Sequence, residues 1–374
     1  MMGKFKVRTD LALEARESYG EEDIRIRGVH VEEHTDKERE IHTTRVVIET
    51  ENGAKAMGKP VGTYITIEAP NMSVPDEGYH REISGEVAKH LRELIEKAEE
   101  TEKKEKRNTE DDGQNRKQST EEDLKKRVKN AEDDRESEKR DGEDSFRKEK
   151  NGDGGLSVLI VGLGNREVTP DALGPNVVGN LHITRHMIRE YGRIGSGFET
   201  VDEISAIAPG VMAQTGMETL EIIKGVVETT KPDVVIAIDA LAARSTRRLN
   251  RTIQITDTGI NPGSGVGNHR NAINEETLGV PVIAVGVPTV VDAATIVNDT
   301  MEDLIEEMDR TVQMQKLGGT LGTLNQAEKH QMIRELISPH LNTMFVTPKD
   351  IDETVKYLSY TISEGLNMAF AGKE

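Results

Sequence analysis

After Leu156 the chain repeats one pattern, a short uninterrupted apolar run followed by a longer amphipathic stretch. Val158-Leu159-Ile160-Val161-Gly162, Val234 to Ile238 and Val280 to Val287 carry no charged residue, so strands made from them have no face to offer to water. Such strands need helices on both sides. Pro175 to Tyr191, Gly216 to Thr229 and Ala293 to Thr311 have the periodicity to supply them. Glu203 to Ala208 and Thr252 to Ile255 read as further strands. Gln326 to Ile337 and Ile351 to Ala371 read as helices around the strand-like Met344-Phe345-Val346. The expected fold class is α/β, with a mostly parallel sheet covered on both faces.

Two cassettes of one kind follow these runs, Pro170-Asp171-Ala172-Leu173-Gly174 and Ile238-Asp239-Ala240-Leu241-Ala242. Each sets an aspartate just past a strand. Carboxylates delivered to the C-terminal edge of one parallel sheet meet across its crevice, where folds of this class place their ligands. Desolvation and a like-charged neighbour then keep one carboxyl protonated and the other ionised, which suits activation of water and polarisation of an amide. Asp239 has the more apolar strand, and Ala240-Leu241-Ala242-Ala243-Arg244 puts a cation one turn beyond it. A third aspartate, Asp292, stands immediately before a helical run and reads as an N-cap.

Upstream, Ile24 to Pro70 alternates in short segments, with Arg45 to Glu49 and Thr63 to Glu68 the clearest, separated by Glu51-Asn52-Gly53 and Gly58-Lys59-Pro60. This predicts a small antiparallel β region with one wet face, followed by a helix from Ser84 to about Glu99. From about residue 100 to 155 the chain is nearly all Lys, Arg, Glu, Asp, Asn, Ser and Gly. Such a segment cannot bury enough to offset its ordering entropy, and it reads as a disordered or loosely helical spacer.

A formal net charge of −19 argues against a nucleic-acid surface. With no cysteine, thiolate metal sites, disulfides and cysteine nucleophiles are all excluded. Met1 to Asp10 has no apolar core, and no run approaches the roughly 20 apolar residues of a membrane span. A cytoplasmic protein with no membrane partner is expected.

Several local motifs dissolve on inspection. Gly162-Leu163-Gly164 follows a strand, but the third glycine of a dinucleotide fingerprint falls on Glu167, so these glycines serve close backbone approach. Gly263-Ser264-Gly265-Val266-Gly267 lacks the Gly-Lys ending of a phosphate loop and reads as a flexible loop near the site. His30-Val31-Glu32-Glu33-His34 would bind zinc only on a helix; on a strand its histidines lie roughly 13 Å apart, too far to share ~2 Å bonds. His182 and His186 sit four apart on a predicted helix, without a metalloprotease motif. Ser245 has no evident base.

Longer segments are more specific. Val168 to Pro175, Ile183-Thr184-Arg185-His186, Ala208 to Met212, Ala237 to Ser245, Asn261 to Asn268, Pro288 to Ala293 and Val346-Thr347-Pro348-Lys349 together resemble the germination protease of endospore-forming bacteria, in order and over nearly the whole chain apart from the charged insert. The resemblance implies an α/β/α sandwich similar to the hydrogenase-maturation proteases. It also implies an endopeptidase that degrades small acid-soluble spore proteins early in germination. Asp171 and Asp239 map onto that family's catalytic pair. Also implied are a homotetramer, a location in the forespore and spore core, and an inactive zymogen that cleaves itself. No cofactor or resident metal is expected, although the equivalent carboxylates of the hydrogenase-maturation proteases hold a metal. Arg8-Thr9-Asp10-Leu11-Ala12-Leu13-Glu14-Ala15 looks like the self-processing site, with the cut between Asp10 and Leu11. The corresponding organisation is a propeptide at 1–10, a β-rich region and helix at 11–99, an insert at 100–155 and a catalytic core at 156–374. Two rivals remain: a metal-dependent hydrolase using the same aspartates with a histidine such as His186, and a non-catalytic binding protein.

Overall fold

The structure, a computed structural model, describes residues 11–17, 27–124, 155–196, 201–263, 270–310 and 344–371. Its strands are β1 (Val29–Asp36), β2 (Ile41–Ile48), β3 (Gly62–Glu68), β4 (Ser157–Gly162), β5 (Glu203–Ile207), β6 (Val234–Ala243), β7 (Thr252–Thr256), β8 (Val282–Asp292) and β9 (Phe345–Val346). They join in one nine-stranded sheet of order β1-β2-β3-β7-β8-β6-β4-β5, with β9 on the end of β8. The segment β5-β4-β6-β8 is parallel. The N-terminal antiparallel strands continue the same sheet, because β3 pairs with β7 from Tyr64↔Thr256 to Glu68↔Thr252.

Helices cover both faces. They are α1 (Ala12–Glu17), α2 (Glu51–Met57), α3 (Glu77–Leu124), α4 (Leu173–Gly179), α5 (Arg185–Ser196), α6 (Met212–Thr215), α7 (Thr219–Thr230), α8 (Glu275–Leu278), α9 (Ala293–Arg310) and α10 (Ile351–Phe370). Leu91 and Leu94 of α3, Val177 of α4 and Leu358 of α10 bury Val158 and Ile160 of β4 together with Ile236 and Ile238 of β6. On the opposite face Ile223 and Val227 of α7 bury Leu159, Val161, Val235 and Ala237. Successive residues of one strand thus go to different layers, which is why Val158 to Val161 of β4 are all apolar. Each large side chain fully buried in this way contributes roughly 1.5–3 kcal/mol. The result is the expected α/β/α arrangement.

Local differences have local causes. Glu51-Asn52-Gly53, expected as a turn, begins helix α2: the Thr50 hydroxyl accepts the Gly53 N–H, and Gly58 closes the helix in the left-handed conformation at φ 66°. Helix α3 starts earlier than expected because Asp76 accepts the Tyr79 N–H at 3.0 Å. It also runs on to Leu124, well into the charged segment. Lys and Glu are good helix formers, and pairs such as Glu99 with Lys103 at 3.1 Å add i,i+4 support. The single helix expected over Pro175 to Tyr191 is two, since Thr184 between them accepts the Ile204 N–H at 2.8 Å and ties the connection to β5. The helix expected over Gln326 to Ile337 lies outside the described residues.

Helix α4 approaches the sheet closely. A Cβ on Gly174 would lie 2.4 Å from the Leu163 carbonyl oxygen and 2.6 Å from that of Ile238. Both are backbone atoms that cannot swing aside. Gly174→Ala should therefore lower stability by roughly 1–3 kcal/mol, read as a reduced urea midpoint with an unchanged slope. A variant as stable as the wild type would show that α4 is not pinned there.

Candidate active site

The connection leaving β4 runs to β5 on one side, and the connection leaving β6 runs to β7 and β8 on the other. A crevice opens where neighbouring connections diverge in this way. The last β4–β6 pair is Gly162↔Ile238, after which the Leu163 N–H donates to the Ile238 carbonyl at 2.8 Å and the chain turns away. Two glycines shape that turn. A Cβ on Gly162 would meet the Gly174 carbonyl oxygen at 2.2 Å, and one on Gly164, whose φ is +109°, would meet the Asp171 carbonyl oxygen at 2.0 Å.

Asp171 ends a short 3-10 turn, Thr169–Asp171, folded back over this loop. The Asn165 N–H donates to Asp171 Oδ2 at 2.7 Å, and the buried Thr289 hydroxyl of β8 donates to the Pro170 carbonyl at 2.7 Å. The carboxyl is thereby fixed from two strands. Asp239 is only 5% exposed and lies within β6, opposite Gly286 of β8. The strand does not stop at Ile238 as the sequence suggested. It continues to Ala243 through a bulge at Leu241/Ala242, so Arg244 follows a strand and is not one helical turn from Asp239.

Both carboxylates line one cavity of about 880 Å³, with Gly164, Ala240 and the cations Lys59 and Arg270 among its walls. Burial pushes the Asp171 carboxyl above its ordinary range, opposed by the Asn165 N–H and by the Arg270 charge. Asp239 is not among the charges acting on it, and among the described residues no hydrogen bond joins the two carboxylates. Desolvation, one of the two causes expected, is the one that raises it. A carboxyl biased toward its protonated form and a second carboxyl across one cavity can serve general acid and base chemistry on a group placed between them.

The other sequence candidates fall outside this pair. Asp292 caps α9, accepting the Thr295 N–H at 2.6 Å, and is ion-paired with Arg244; it is the expected N-cap. His30 and His34 lie on strand β1. His182 precedes α5 while His186 is in it, so they do not share a helical face; both are exposed and neither lines the cavity. Ser245 accepts the Arg247 N–H at 3.4 Å and caps a 3-10 turn. Gly263 lines the cavity, and residues 264–269 lie outside the described residues. So does Asp10, whereas Leu11 is fully buried.

Asn165, Thr289 and Arg270 were not singled out from sequence. Asn165 follows the glycine pair directly, and Arg270 follows the glycine-rich loop by three residues. Those positions were the available signal. A metal would need more donors than the two aspartates. Among the described residues no three His, Asp or Glu side chains converge on such a site, and one oxygen of each aspartate already accepts a backbone N–H.

The family model described as Germination protease matches residues 7–107, 119–316 and 302–373. The germination protease of Caldanaerobacter subterraneus subsp. tengcongensis is 44% identical over 97% of this chain and 94% of its own length. That of Clostridium perfringens is 43% identical over 98% and 95%. Among solved structures, the NiFe hydrogenase maturation protease HycI of Thermococcus kodakarensis KOD1 is similar over 36% of this chain and 76% of its own, at 19% identity and a TM-score of 0.24.

The raised Asp171 carboxyl has a signed consequence for stability. Between 3.8, its ordinary value, and its higher folded value, the folded state holds more of this proton than the unfolded state does. Stability contributed by this group therefore falls as pH rises through that window. Asp171→Asn cannot titrate, so wild-type stability relative to the variant should decline across the window and be flat on either side. Urea titrations of both proteins at a series of pH values check this, and a rising difference would contradict the burial argument.

Proposed function

The chain belongs to the germination protease family, and from that premise we propose that it is an aspartate-dependent endopeptidase that cuts small acid-soluble spore proteins as the spore germinates. One observation carries the reading: Asp171 and Asp239, remote in sequence, are delivered to one cavity by the turn beyond β4 and by the adjacent strand β6. Asp239 acts as general base on the attacking water, and Asp171 as acid toward the scissile carbonyl or the leaving amine. The upward shift of the Asp171 carboxyl supports that division, because an acid must hold its proton until the transition state.

In this reading residues 1–10 are a propeptide removed by the chain itself between Asp10 and Leu11, the enzyme is a homotetramer, and it works in the forespore and spore core. Nearby structure supports the position of the junction. The Ala12 N–H donates at 2.7 Å to Gln254, a residue that lines the cavity, so the chain just beyond the cut is moored at its rim. Residues 11–99 and 156–374 carry the sheet, and the insert at 100–155 stands outside the chemistry.

Incubation with a small acid-soluble spore protein tests the whole reading, and an uncut protein would end it. Asp171→Asn and Asp239→Asn should each lower kcat/KM by about 10²-fold or more, the scale of a lost general acid or base. Each should also leave residues 1–10 attached, as seen by intact mass. Processing retained in either variant removes that aspartate from the mechanism.

A further inference from the structure

Among the described residues, the ionisable groups in the cavity wall are Asp239 of β6, Asp171 on the turn beyond β4, Tyr64 of β3, Lys59 just before β3, and Arg270. Two cations in the wall of one cavity are a local exception in a chain of net charge −19, and they suit an anionic guest. The two are not equivalent. Arg270 is the one whose charge acts on Asp171, whereas Lys59 stands next to Pro60, whose carbonyl accepts the Tyr64 hydroxyl at 2.9 Å on the antiparallel side of the sheet. Helix α10 packs against the turn that carries Asp171, and none of its side chains is among the charges acting on the carboxyl. The arginines that follow β6 are engaged in the framework, Arg244 with Asp292 and Arg248 with Glu14 and Glu68. Arg270 is half-buried, and among the described residues it is ion-paired with no carboxylate, Asp171 included.

We propose that Arg270 selects the substrate: it receives the carboxylate of an acidic side chain beside the peptide bond to be cut, and the pairing withdraws its charge from Asp171. The proposal rests on the protease reading of the cavity. A planar guanidinium holds a carboxylate through two parallel N–H donors, so an aspartate or glutamate is matched in shape as well as in charge. The chain's own candidate junction has that composition, with Asp10 directly ahead of Leu11. The second half of the proposal follows from electrostatics. Without substrate, Arg270 favours the charged form of Asp171 and works against burial. An acidic side chain seated on Arg270 neutralises that influence and adds a negative charge near the pair, so Asp171 keeps its proton to higher pH. Recognition thus completes the proton donor. Discrimination then appears in kcat as well as in KM, because a substrate lacking the carboxylate leaves Arg270 opposing the donor.

The test compares two fluorophore-labelled synthetic peptides of residues 5–16, Phe5 to Arg16, one with the native Asp10 and one carrying Asp10→Asn. With the wild-type enzyme, kcat/KM should be higher for the native peptide by about tenfold or more, the scale of a charge-assisted contact. The alkaline limb of its kcat profile should also lie at higher pH, since loss of the Asp171 proton ends activity and the seated carboxylate delays that loss. Arg270→Gln should reduce the preference to less than about twofold, while Arg270→Lys, which keeps the charge, should retain part of it. Variants that do not process themselves are cut beforehand by immobilised wild-type enzyme and checked by intact mass. A preference unchanged in Arg270→Gln, or a common alkaline limb for both peptides in the wild type, would overturn the proposal and leave the protease reading intact. If neither peptide is cut, fluorescence anisotropy with the wild-type and Arg270→Gln chains decides. Tighter binding of the native peptide that vanishes in the variant keeps the Arg270 site and ends the protease reading, whereas equal binding of the two peptides ends both.

Discussion

The site exists because three glycines let two backbones come closer than side chains allow. Gly162, Gly164 and Gly174 bring the end of β4, the start of α4 and the turn bearing Asp171 against β6 at distances a Cβ would forbid. The Leu163 N–H on the Ile238 carbonyl and the Thr289 hydroxyl on the Pro170 carbonyl then lock this approach in place. Neither aspartate is positioned by a contact with the other. Asp239 is held by its strand and Asp171 by its turn, and the geometry of the pair is the geometry of the backbones, for which a displacement of about 1 Å is enough to cost a catalyst 10²-fold.

Two opposing effects meet at Asp171, and their order sets its chemistry. A backbone N–H and the Arg270 guanidinium both favour the charged carboxylate, yet burial outweighs them. A cation facing the cavity moderates the desolvation without cancelling it, so the carboxyl holds its proton to higher pH than a solvated aspartate does. Asp292 shows the contrast. It ends an apolar strand, where Arg244 pairs with it and a helix N-terminus hydrogen-bonds it, and its role is structural.

The layers were legible in the sequence because continuous apolar runs such as Val158 to Val161 leave no solvent face. The aspartates were legible because they follow those runs. What was not legible depended on pairing. Ala240 to Ala243 have the propensity of a helix, and the neighbouring β8 holds them extended. Asn52-Gly53 reads as a turn until Thr50 and Gly58 are seen to cap a helix around it. Asn165, Thr289 and Arg270 acquire their meaning from residues that folding brings to them, and no local pattern encodes that. Likewise β3 gives no sign in its alternation that it will extend the parallel sheet through β7.

The segment Leu11 to Glu14 lies buried in the fold. Glu14 accepts the Arg244 N–H at 2.9 Å and lies 3.5 Å from the Arg248 guanidinium, while Ala12 packs among Val46, Ile48 and Tyr64. These few residues act as a rivet between the far β-strands and the end of β6. Severing the chain ahead of Leu11 would therefore produce a terminus that is already seated, and the framework behind the crevice would keep its shape through the change.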